Sequence, residues 1–277
     1  MINILFSGNI KVFDGVLTCV LSILKRNEGT EPFRFFVLTM DASHLKPEYV
    51  PITEEQCAFL RAVIREYNPE NVLERIDVTE LYRQEFDGSP NEQCYCSPYT
   101  LLRLFADRIE QIPSKLLYLD VDVLLCKDIH LLYDKDLTGY EYAAAPDHYG
   151  KFAFGPNYIN AGVLLFNMDE VRRTGLMEKA RNLIRTKKLL FADQSAIYRS
   201  TTRKLKLSQR FNDQKFLYKG TVIRHFSKRL FYLPYPHTEN VKQWNVSRMY
   251  AKFHYTEFDD IIYDYIYLKG KFEHEKA

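Results

Sequence analysis

The chain has 277 residues, of which 46% are hydrophobic and 27% are charged, and its formal net charge is +2. This length and composition are those of one large globular α/β domain with room for a small appendage. A net charge so close to zero gives no support for a polyanionic partner, and the sequence contains no nucleic-acid-binding motif.

Short apolar runs bounded by polar or turn-forming residues predict the strands. In chain order, these runs cover residues 2–6, 33–38, 72–78, 116–125, 142–145, 161–166 and 221–224. Helices are predicted between the strands of the first 120 residues, and this alternation predicts a mostly parallel sheet with helices on both faces. Ligands of such sheets bind at the carboxyl ends of the strands.

The helices are predicted from their start signals and from the spacing of their apolar residues. Asp14 is the expected N-cap of the first helix, and Thr53 with Gln56 forms the capping-box pattern of the second. Ser97 followed by Pro98 has the cap and the first-position proline of the third. The remaining helices are predicted near residues 169–187 and 192–199 and in the tyrosine-rich tail from Phe258.

The five cysteines are Cys19, Cys57, Cys94, Cys96 and Cys126, and they show no metal-ligand spacing. We expect reduced thiols, with Cys19 and Cys126 as small core residues, and hence a cytoplasmic protein. The N-terminus enters a predicted strand at once, without the features of a signal peptide. No apolar run approaches the ~20 residues that a membrane-spanning helix needs.

Two aspartates, Asp120 and Asp122, interrupt the apolar run at residues 116–125. Ionised carboxylates that are buried among apolar residues require a positive partner, which argues against a pair of merely solvated side chains. The run is predicted to be a buried strand, in which positions i and i+2 face the same side, so both carboxylates point one way. Two hard oxygen ligands at the end of a core strand suit Mg²⁺ or Mn²⁺.

Three other segments place polar residues beside predicted strands or helices. Asn160 is followed by Ala and Gly, whose small size lets the backbone approach a ligand while the amide binds a hydroxyl. Asp193 and Gln194, taken alone, are typical of a helix cap. His225, taken alone, is typical of a structural histidine, and it gains a functional role only if its strand points at Asp120 and Asp122.

Four segments, taken together and in this order, resemble the family-8 retaining glycosyltransferases of the GT-A fold. They cover residues 99–104, 117–124, 160–167 and 192–194. D-x-D alone is a weak signal, whereas D-x-D followed by Asn-Ala-Gly-Val and then Asp-Gln at these separations is strong. The resemblance implies an α/β GT-A fold with a twisted Rossmann-like sheet in residues 1–245, and an aromatic extension in 246–277 that packs on it or is partly helical.

The resemblance also implies an activity. It predicts a retaining transferase that moves a hexose, glucose or galactose, from a UDP-sugar to a saccharide or lipid-linked acceptor, as in cell-surface polysaccharide biosynthesis. The implied cofactor is Mn²⁺ or Mg²⁺, held by Asp120, Asp122 and a histidine. His225 is the preferred third ligand because a buried strand leads directly to it, and His237 is the alternative.

The remaining site residues are expected by likeness to the same family. The donor would be bound by Ser7, Gly8, Asn9, Arg103, Asp120, Asp147, Asn160 and Lys242, with Lys228 as the alternative to Lys242 at the diphosphate. The family's first loop usually carries acidic residues, whereas here it contains Ser7, Gly8 and Asn9. Asp193 and Gln194 are the expected catalytic residues at the transferred sugar.

Retention of configuration can follow two routes. Double displacement needs a protein nucleophile, for which the amide of Gln194 is weakly basic and Asp193 is better employed in holding sugar hydroxyls. We therefore expect the acceptor to attack from the face that the diphosphate leaves, with Gln194 stabilising the oxocarbenium-like centre. This expectation follows from the family's stereochemistry.

Two alternative functions remain at this point. A Mg²⁺-dependent phosphohydrolase would use Asp120 as its nucleophile, but its motif usually opens the fold, and this chain contains no Gly-Asp dipeptide of the kind such enzymes need. A non-catalytic nucleotide-sugar-binding protein of the same fold is the other alternative, favoured by the altered first loop.

A role at the membrane is at most peripheral. Several basic residues add positive charge to the C-terminal half. They are Lys179, Arg181, Arg185, Lys187, Lys188, Arg203, Lys204 and Lys206. A solvated helix face explains them more simply than attachment to the inner membrane face does.

Overall fold

The computed structural model describes residues 1–92, 97–233 and 235–275, so that Cys94 and Cys96 lie outside the described residues. Its strands are β1 (Ile2–Ser7), β2 (Phe33–Thr39), β3 (Val72–Asp77), β4 (Lys115–Leu119), β5 (Val123–Leu125), β6 (Tyr142–Pro146), β7 (Ile159–Asn167), β8 (Lys204–Lys206), β9 (Ile223–His225), β10 (Arg229–Phe231) and β11 (His237–Glu239). Its α-helices are α1 (Phe13–Arg26), α2 (Glu54–Tyr67), α3 (Thr79–Phe86), α4 (His130–Tyr133), α5 (Gly150–Ala153), α6 (Met168–Thr174), α7 (Leu176–Thr186), α8 (Ala192–Ser200), α9 (Val246–Phe253) and α10 (Asp259–His274).

The centre of the fold is a seven-stranded sheet in the order β3-β2-β1-β4-β7-β6-β8. Its neighbours pair in parallel except at β7, which runs antiparallel to both β4 and β6. Because β7 is reversed, its beginning lies beside the carboxyl ends of β4 and β6. The predicted α/β architecture with a mostly parallel sheet is confirmed.

Alternate residues of the strands pack into two apolar cores, one on each face of the sheet. Leu117 and Leu119 of β4 join the core that α1, α2 and α10 cover. Leu116 and Tyr118 of the same strand join the opposite core, together with residues of α3, α7 and α8. Helices therefore cover both faces, as the alternation of elements predicted.

The prediction of a single strand over residues 116–125 is wrong. β4 ends at Leu119, residues 120–122 form a turn, and β5 leaves the sheet to pair antiparallel with β9. The last rung to β7 is the hydrogen bond from the Asp120 backbone N–H to the Gly162 carbonyl, at 2.8 Å. An apolar run indicates only that its residues are buried. The residues of β5 are also buried, because β5 packs under α1, where the Leu125 N–H donates to Ser22 Oγ. Strand alternation therefore does not set the directions of the two carboxylates.

The helix start signals were right for one helix, partly right for a second and wrong for a third. Thr53 and Gln56 form the predicted capping box at the start of α2. Ser97 caps the third predicted helix, but that helix, Pro98–Arg108, is a 3₁₀ helix. Asp14 lies inside the first turn of α1, where its carboxylate accepts a hydrogen bond from Lys269 Nζ at 2.7 Å and does not cap. The remaining 3₁₀ helices of the described residues are Ile10–Val12 and Gln209–Phe211.

The second half of the chain differs from the sequence prediction in detail. The helix expected near residues 169–187 is two helices, α6 and α7, separated by Gly175, whose φ of 68° ends the first. The tail forms the expected helix, α10, and Phe272 on it contacts the rings of Phe13 and Phe59. The domain boundary after residue 245 remains a prediction. Among the described residues, no helix combines the length and apolar composition that crossing a membrane requires.

The cysteine prediction is confirmed in part. Cys19 is a buried free thiol, as expected of a small core residue, and Cys57, whose burial was not predicted from the sequence, is a buried free thiol as well. Cys126 is also a free thiol, but it is only half-buried and packs at the edge of the core.

Candidate active site

A cleft of about 410 Å³ opens at the edge of the sheet where β1 and β4 end. Its walls come from the loop after β1, the start of the 3₁₀ helix Pro98–Arg108, the turn after β4 and the segment before α9. Seven of the residues singled out from the sequence line it, namely Ser7, Gly8, Asn9, Arg103, Asp120, Asp122 and Lys242. The carboxyl-end rule for α/β sheets therefore located the cleft correctly.

Asp120, Asp122 and His225 form the candidate metal centre. One ligand atom of each lies within 4.8 Å of the others. The antiparallel pairing of β5 with β9 sets His225 opposite Val123, which brings its ring to the turn that carries both aspartates. His225 Nε2 lies 3.1 Å from Asp122 Oδ1 and 3.8 Å from Asp120 Oδ2.

The alternative ligand, His237, lies elsewhere. It belongs to the β10–β11 hairpin, where Nδ1 contacts the Tyr235 carbonyl at 2.7 Å and Nε2 contacts Glu239 at 3.1 Å. Of the two candidate histidines, the structure brings His225 to the aspartates. Metal ligation by His225 itself stays a prediction.

Asp122 is held as a carboxylate by its two neighbours, Lys242 and His225. Burial raises the pKa of this carboxyl, but Lys242 and His225 outweigh it, so the pKa of Asp122 lies well below its ordinary value. Lys242 Nζ donates hydrogen bonds to Asp122 Oδ2 and to the Phe226 carbonyl, the latter at 3.1 Å. The cluster offers two carboxylate oxygens and one imidazole nitrogen, and the Asp122 carboxylate already attracts the cationic Lys242. This donor set fits Mn²⁺ or Mg²⁺.

Arg103 organises the second aspartate. Its side chain is almost fully buried, and Nη2 donates to Asp120 Oδ1 at 2.8 Å while Nε lies 3.3 Å from Asp193 Oδ2. The guanidinium stacks on the ring of Tyr118 at 3.9 Å from its centroid. Burial lowers the pKa of Arg103, but Tyr118 and the two carboxylates raise it above its ordinary value. Arg103 thus stays charged and fixes one oxygen of Asp120.

A cluster of polar side chains predicted to contact the sugar lies beside the metal centre, at the start of the reversed strand β7. Asp147 Oδ2 accepts from Asn160 Nδ2 at 2.9 Å and from Gln194 Nε2 at 3.4 Å. Gln194 Oε1 in turn accepts from the Ala161 backbone N–H at 3.1 Å. The structure therefore joins three of the predicted sugar-pocket residues, although their chain positions differ widely.

Asp193 and Gln194 do not cap α8. The cap position is Phe191, and no side chain caps the helix there. Asp193 is 5% exposed, and its carboxylate faces Arg103. Burial raises the pKa of Asp193, and the positive charge of Arg103 opposes that rise. The side chain is thus a buried ion-pair partner of Arg103, and Gln194 is the more accessible of the two.

The loop after β1 forms one wall of the cleft. The Gly8 N–H donates to the Leu38 carbonyl at 3.1 Å, and Ser7 Oγ is hydrogen-bonded to the Tyr118 hydroxyl at 3.0 Å. A Cβ atom on Gly8 would lie 2.4 Å from Val12 Cγ2, so the close turn into the following helix requires glycine. Ser7, Gly8 and Asn9 reach the cleft without contributing an acidic group.

The segment before α9 closes the opposite wall and carries the lysine. Gln243 Nε2 donates to the Val121 carbonyl at 2.8 Å and to Thr18 Oγ1 at 3.0 Å. These bonds tie Lys242 to the turn that carries both aspartates. Of the two candidate lysines, the structure brings Lys242 into the cleft.

Tyr118, Trp244 and Asn212 are among the residues of the site that sequence reasoning did not assign to it. Tyr118 donates to Asp120 Oδ1 at 2.8 Å and carries the stacked Arg103. The period of a strand could have found it, because Tyr118 is two residues before Asp120. Trp244 lines the cleft, and Asn212 contacts His225 Nδ1 at 2.9 Å. Asn212 gives no signal in the sequence, since only tertiary packing brings it there.

Two of the basic residues of the C-terminal half, Arg181 and Arg185, form ion pairs within the protein. Arg181 is 1% exposed and pairs with Asp107 and Glu178. Arg185 pairs with Glu85 and Glu178. Arg181 therefore lies inside the protein rather than on the solvated helix face that the sequence predicted.

The chain is similar to known glycosyltransferases. The profile described as "Glycosyl transferase family 8" matches residues 3–245. "Glycosyltransferase GlyA" of Streptococcus pneumoniae is 28% identical over 64% of this chain and 22% of its own length. Mouse "Glucoside xylosyltransferase 1" is 32% identical over 62% of this chain and 43% of its own length. The chain thus spans less than half of either curated relative.

A solved structure shares the fold. The galactosyltransferase LgtC, crystallised with donor and acceptor sugar analogues, superposes with a TM-score of 0.64 and 22% sequence identity. The superposition covers 81% of this chain and 86% of that one.

Proposed function

The chain belongs to glycosyltransferase family 8, and on that premise we propose that it is a metal-dependent retaining hexosyltransferase that uses a UDP-sugar donor. The acceptor would be a saccharide or a lipid-linked saccharide, met at the cytoplasmic side and at most in peripheral contact with the membrane. The observation that carries the proposal is the cluster of Asp120, Asp122 and His225 in one cleft with Lys242.

The chemistry of the donor explains this cluster. Breaking the bond to the anomeric carbon leaves negative charge on a diphosphate, and stabilising that developing charge lowers the barrier. A bound Mn²⁺ or Mg²⁺ would supply Lewis-acid stabilisation of the leaving oxygens. Lys242 lies beside Asp122. When the donor binds, the Lys242 ammonium group would turn from the carboxylate to the diphosphate and add a second positive charge there.

The adjoining cluster of polar side chains would hold the transferred sugar. Asp147 presents a carboxylate that suits sugar hydroxyls, and the hydrogen bond from Asn160 Nδ2 fixes its orientation. The second N–H of the Asn160 amide would be the group that Asn160 offers to a hydroxyl, because its oxygen already accepts two hydrogen bonds. Gln194 is tied to Asp147 and to the backbone of Ala161. Its amide would therefore face the anomeric centre as a positioned dipole rather than as a nucleophile.

Asp193 is a poor nucleophile for double displacement. Its carboxylate is buried against Arg103 and would have to break that ion pair before attacking. This supports attack by the acceptor on the face that the diphosphate leaves. The family assignment also favours transfer over the alternative in which Asp120 acts as the nucleophile of a phosphohydrolase.

The transferred sugar decides which donors a test must include. Two of the three relatives named above are a galactosyltransferase and a xylosyltransferase, so the test must include both hexose and pentose donors. We propose glucose or galactose. The first loop lacks an acidic residue, so Ser7 and Asn9 would make the polar contacts to the nucleotide from this wall.

Thermal-shift measurements with nucleotide-sugars test the proposal directly, since a ligand of the native state raises the melting temperature. We expect a larger shift with UDP-glucose or UDP-galactose plus Mn²⁺ than with either component alone, and slow release of UDP on incubation. The double variant D120A/D122A should lose the Mn²⁺-dependent shift and the turnover. Asp136→Ala is the matched control, because Asp136 is exposed and lies outside the cleft, with its side-chain hydrogen bonds made to Thr138 of its own turn.

Two results would overturn the proposal. The first is full transfer activity in D120A/D122A. The second is tight UDP binding without turnover of any UDP-sugar in the presence of Mn²⁺, which would instead indicate a non-catalytic binding protein of the same fold.

A further inference from the structure

Asn212 is a fully buried amide between the candidate metal centre and the polar side chains predicted to contact the sugar. It follows the 3₁₀ helix Gln209–Phe211 and makes two side-chain hydrogen bonds to these groups. Its Oδ1 atom lies 2.9 Å from His225 Nδ1. Its Nδ2 atom donates to Asn160 Oδ1 at 2.8 Å.

Neighbouring groups that can act only as donors or only as acceptors fix the orientation of the Asn160 and Asn212 amides. A backbone N–H can only donate, and the Gly162 N–H points at one end of the Asn160 side chain at 3.0 Å, so that end must be the oxygen. The other end of Asn160 faces Asp147 Oδ2 at 2.9 Å, as an amide nitrogen should. Asn212 must then donate to Asn160 with its own nitrogen, which leaves its oxygen facing His225.

The same logic extends to the imidazole. An amide oxygen only accepts, so the His225 nitrogen beside it must carry a proton. That proton lies on Nδ1, and Nε2 is the ring nitrogen that faces Asp122 and Asp120. In a neutral imidazole with the proton on Nδ1, Nε2 has the free lone pair that a metal ligand needs.

We propose that Asn212 is a positioning residue that holds the proton of His225 on Nδ1 and thereby directs Nε2 to the metal. The inference deepens the proposed function, since its metal-binding part depends on that function. It also links the two halves of the site, because one hydrogen-bonded chain runs from Asp147 through Asn160 and Asn212 to His225. Such partners of a ligating histidine set its tautomer, its ring orientation and its basicity.

The ring of His225 has little freedom to find another partner. It is 3% exposed, and its Cε1 and Nδ1 atoms pack on Gly162, where a Cβ atom would come within 2.4 Å and 2.9 Å of them. The backbone around Asn212 is held independently of its side chain. The Asp213 N–H donates to the Ile223 carbonyl and the His225 N–H donates to the Asp213 carbonyl, each at 2.9 Å. Changing the amide should therefore leave the local backbone in place.

Nitrogen-15 spectra of histidine-labelled protein test the tautomer without any metal. In the wild type, Nδ1 of His225 should be protonated and its proton slow to exchange, with the signal assigned by its loss in His225→Gln. In N212L, Nδ1 has no acceptor, and the proton should move to Nε2, where Asp122 accepts it. In N212D, an acceptor remains and the Nδ1 proton should persist. An unprotonated Nδ1 in the wild type, or an unchanged spectrum in N212L, would overturn the inference.

Mn²⁺ binding, measured by electron paramagnetic resonance, tests the consequence. N212L should bind Mn²⁺ about 10- to 100-fold more weakly, as is typical when the partner of a ligating histidine is removed. N71L is the control, because Asn71 is also buried and makes two side-chain hydrogen bonds, to the Phe33 N–H and the Ile64 carbonyl. N71L should retain the affinity of the wild type.

The outcomes separate the two proposals. Wild-type affinity in N212L together with a shifted tautomer would overturn the positioning role while leaving the proposed function intact. A wild-type protein that binds no Mn²⁺ would overturn the proposed function and the metal-binding role of His225, even with the tautomer confirmed.

Discussion

Lys242 and Asp122 form an ion pair in the cleft although they lie 120 residues apart in the chain. The lysine takes one oxygen of Asp122 while His225 faces the other. Among the described residues, Asp122 is the only anionic partner of Lys242, and it is also a proposed metal ligand. A cation that binds Asp122 would lie close to the ammonium group of Lys242, so the two positive charges would compete for one carboxylate.

Replacing Lys242 by Met should therefore have opposite effects on binding and on transfer. Without the ammonium group, Mn²⁺ should bind more tightly in the absence of nucleotide, because its competitor and a like charge are removed. Transfer should slow by about 10²- to 10³-fold, as when one group that stabilises the leaving charge is deleted. Calorimetric titration of Mn²⁺ and a UDP-release assay measure the two effects. Weaker Mn²⁺ binding in K242M would contradict this competition.

Arg103→Lys should damage the site although it conserves the charge. A lysine cannot bridge Asp120 and Asp193 with a planar fork or stack in the same way on Tyr118. We expect a loss of about 1–3 kcal/mol in the free energy of unfolding, the range for a buried polar group left without a partner. Urea denaturation measures this loss. Arg83→Lys is the control, since Arg83 is exposed and its one ion pair with a described residue is to Glu80.

Trapping experiments distinguish the two routes to retention. We expect no glycosyl–enzyme adduct on Asp193 or Gln194 when a slow donor analogue is incubated with the wild type and examined by mass spectrometry. Gln194→Ala should lower kcat by about 10²-fold with little change in KM, since the lost dipole acts on the transition state. A covalent adduct on either residue would refute same-face attack.

Glu141 should make the stability of the protein depend on pH. Burial raises the pKa of this carboxyl, but hydrogen bonds from Thr201 and from the backbone of residues 202–203 lower it by more. The pKa of Glu141 therefore lies below its ordinary value. A carboxyl with a lowered pKa in the folded state stabilises that state above the unfolded pKa of about 4.3, and the contribution is lost as the pH falls through the folded pKa. Glu141→Gln should thus lower the unfolding free energy at pH 7, and its difference from the wild type should shrink below about pH 4. An equal difference at pH 7 and pH 3 would show that the charge contributes nothing.

Much of the fold was predictable because its signals are local. The order of strands and helices, the capping box at Thr53 and the carboxyl-edge position of the cleft all follow from short patterns of residues. The break in the apolar run after Leu119 was not predictable, because burial in the sheet and burial under α1 select the same residue types. The family resemblance is confirmed by the match over residues 3–245.

The candidate site was predictable to the extent that its residues belong to motifs. Asp120, Asp122 and His225 meet as expected, and Lys242 rather than Lys228 reaches the cleft. Asn212 could not be found, because its position depends on how a loop packs on β9, and that is a tertiary property. The roles assigned to all of these residues remain predictions until ligands and variants are measured.

The reversal of β7 changes where functional residues appear in the written sequence. Along an ordinary strand of this sheet, polar groups at the binding edge come after the apolar residues, as Asp120 does after β4. Along β7 they come first, so Asn160 stands ahead of its apolar stretch. A motif search confined to the downstream side of hydrophobic segments would overlook this part of the site, and searches for remote homologues of such proteins should scan both flanks.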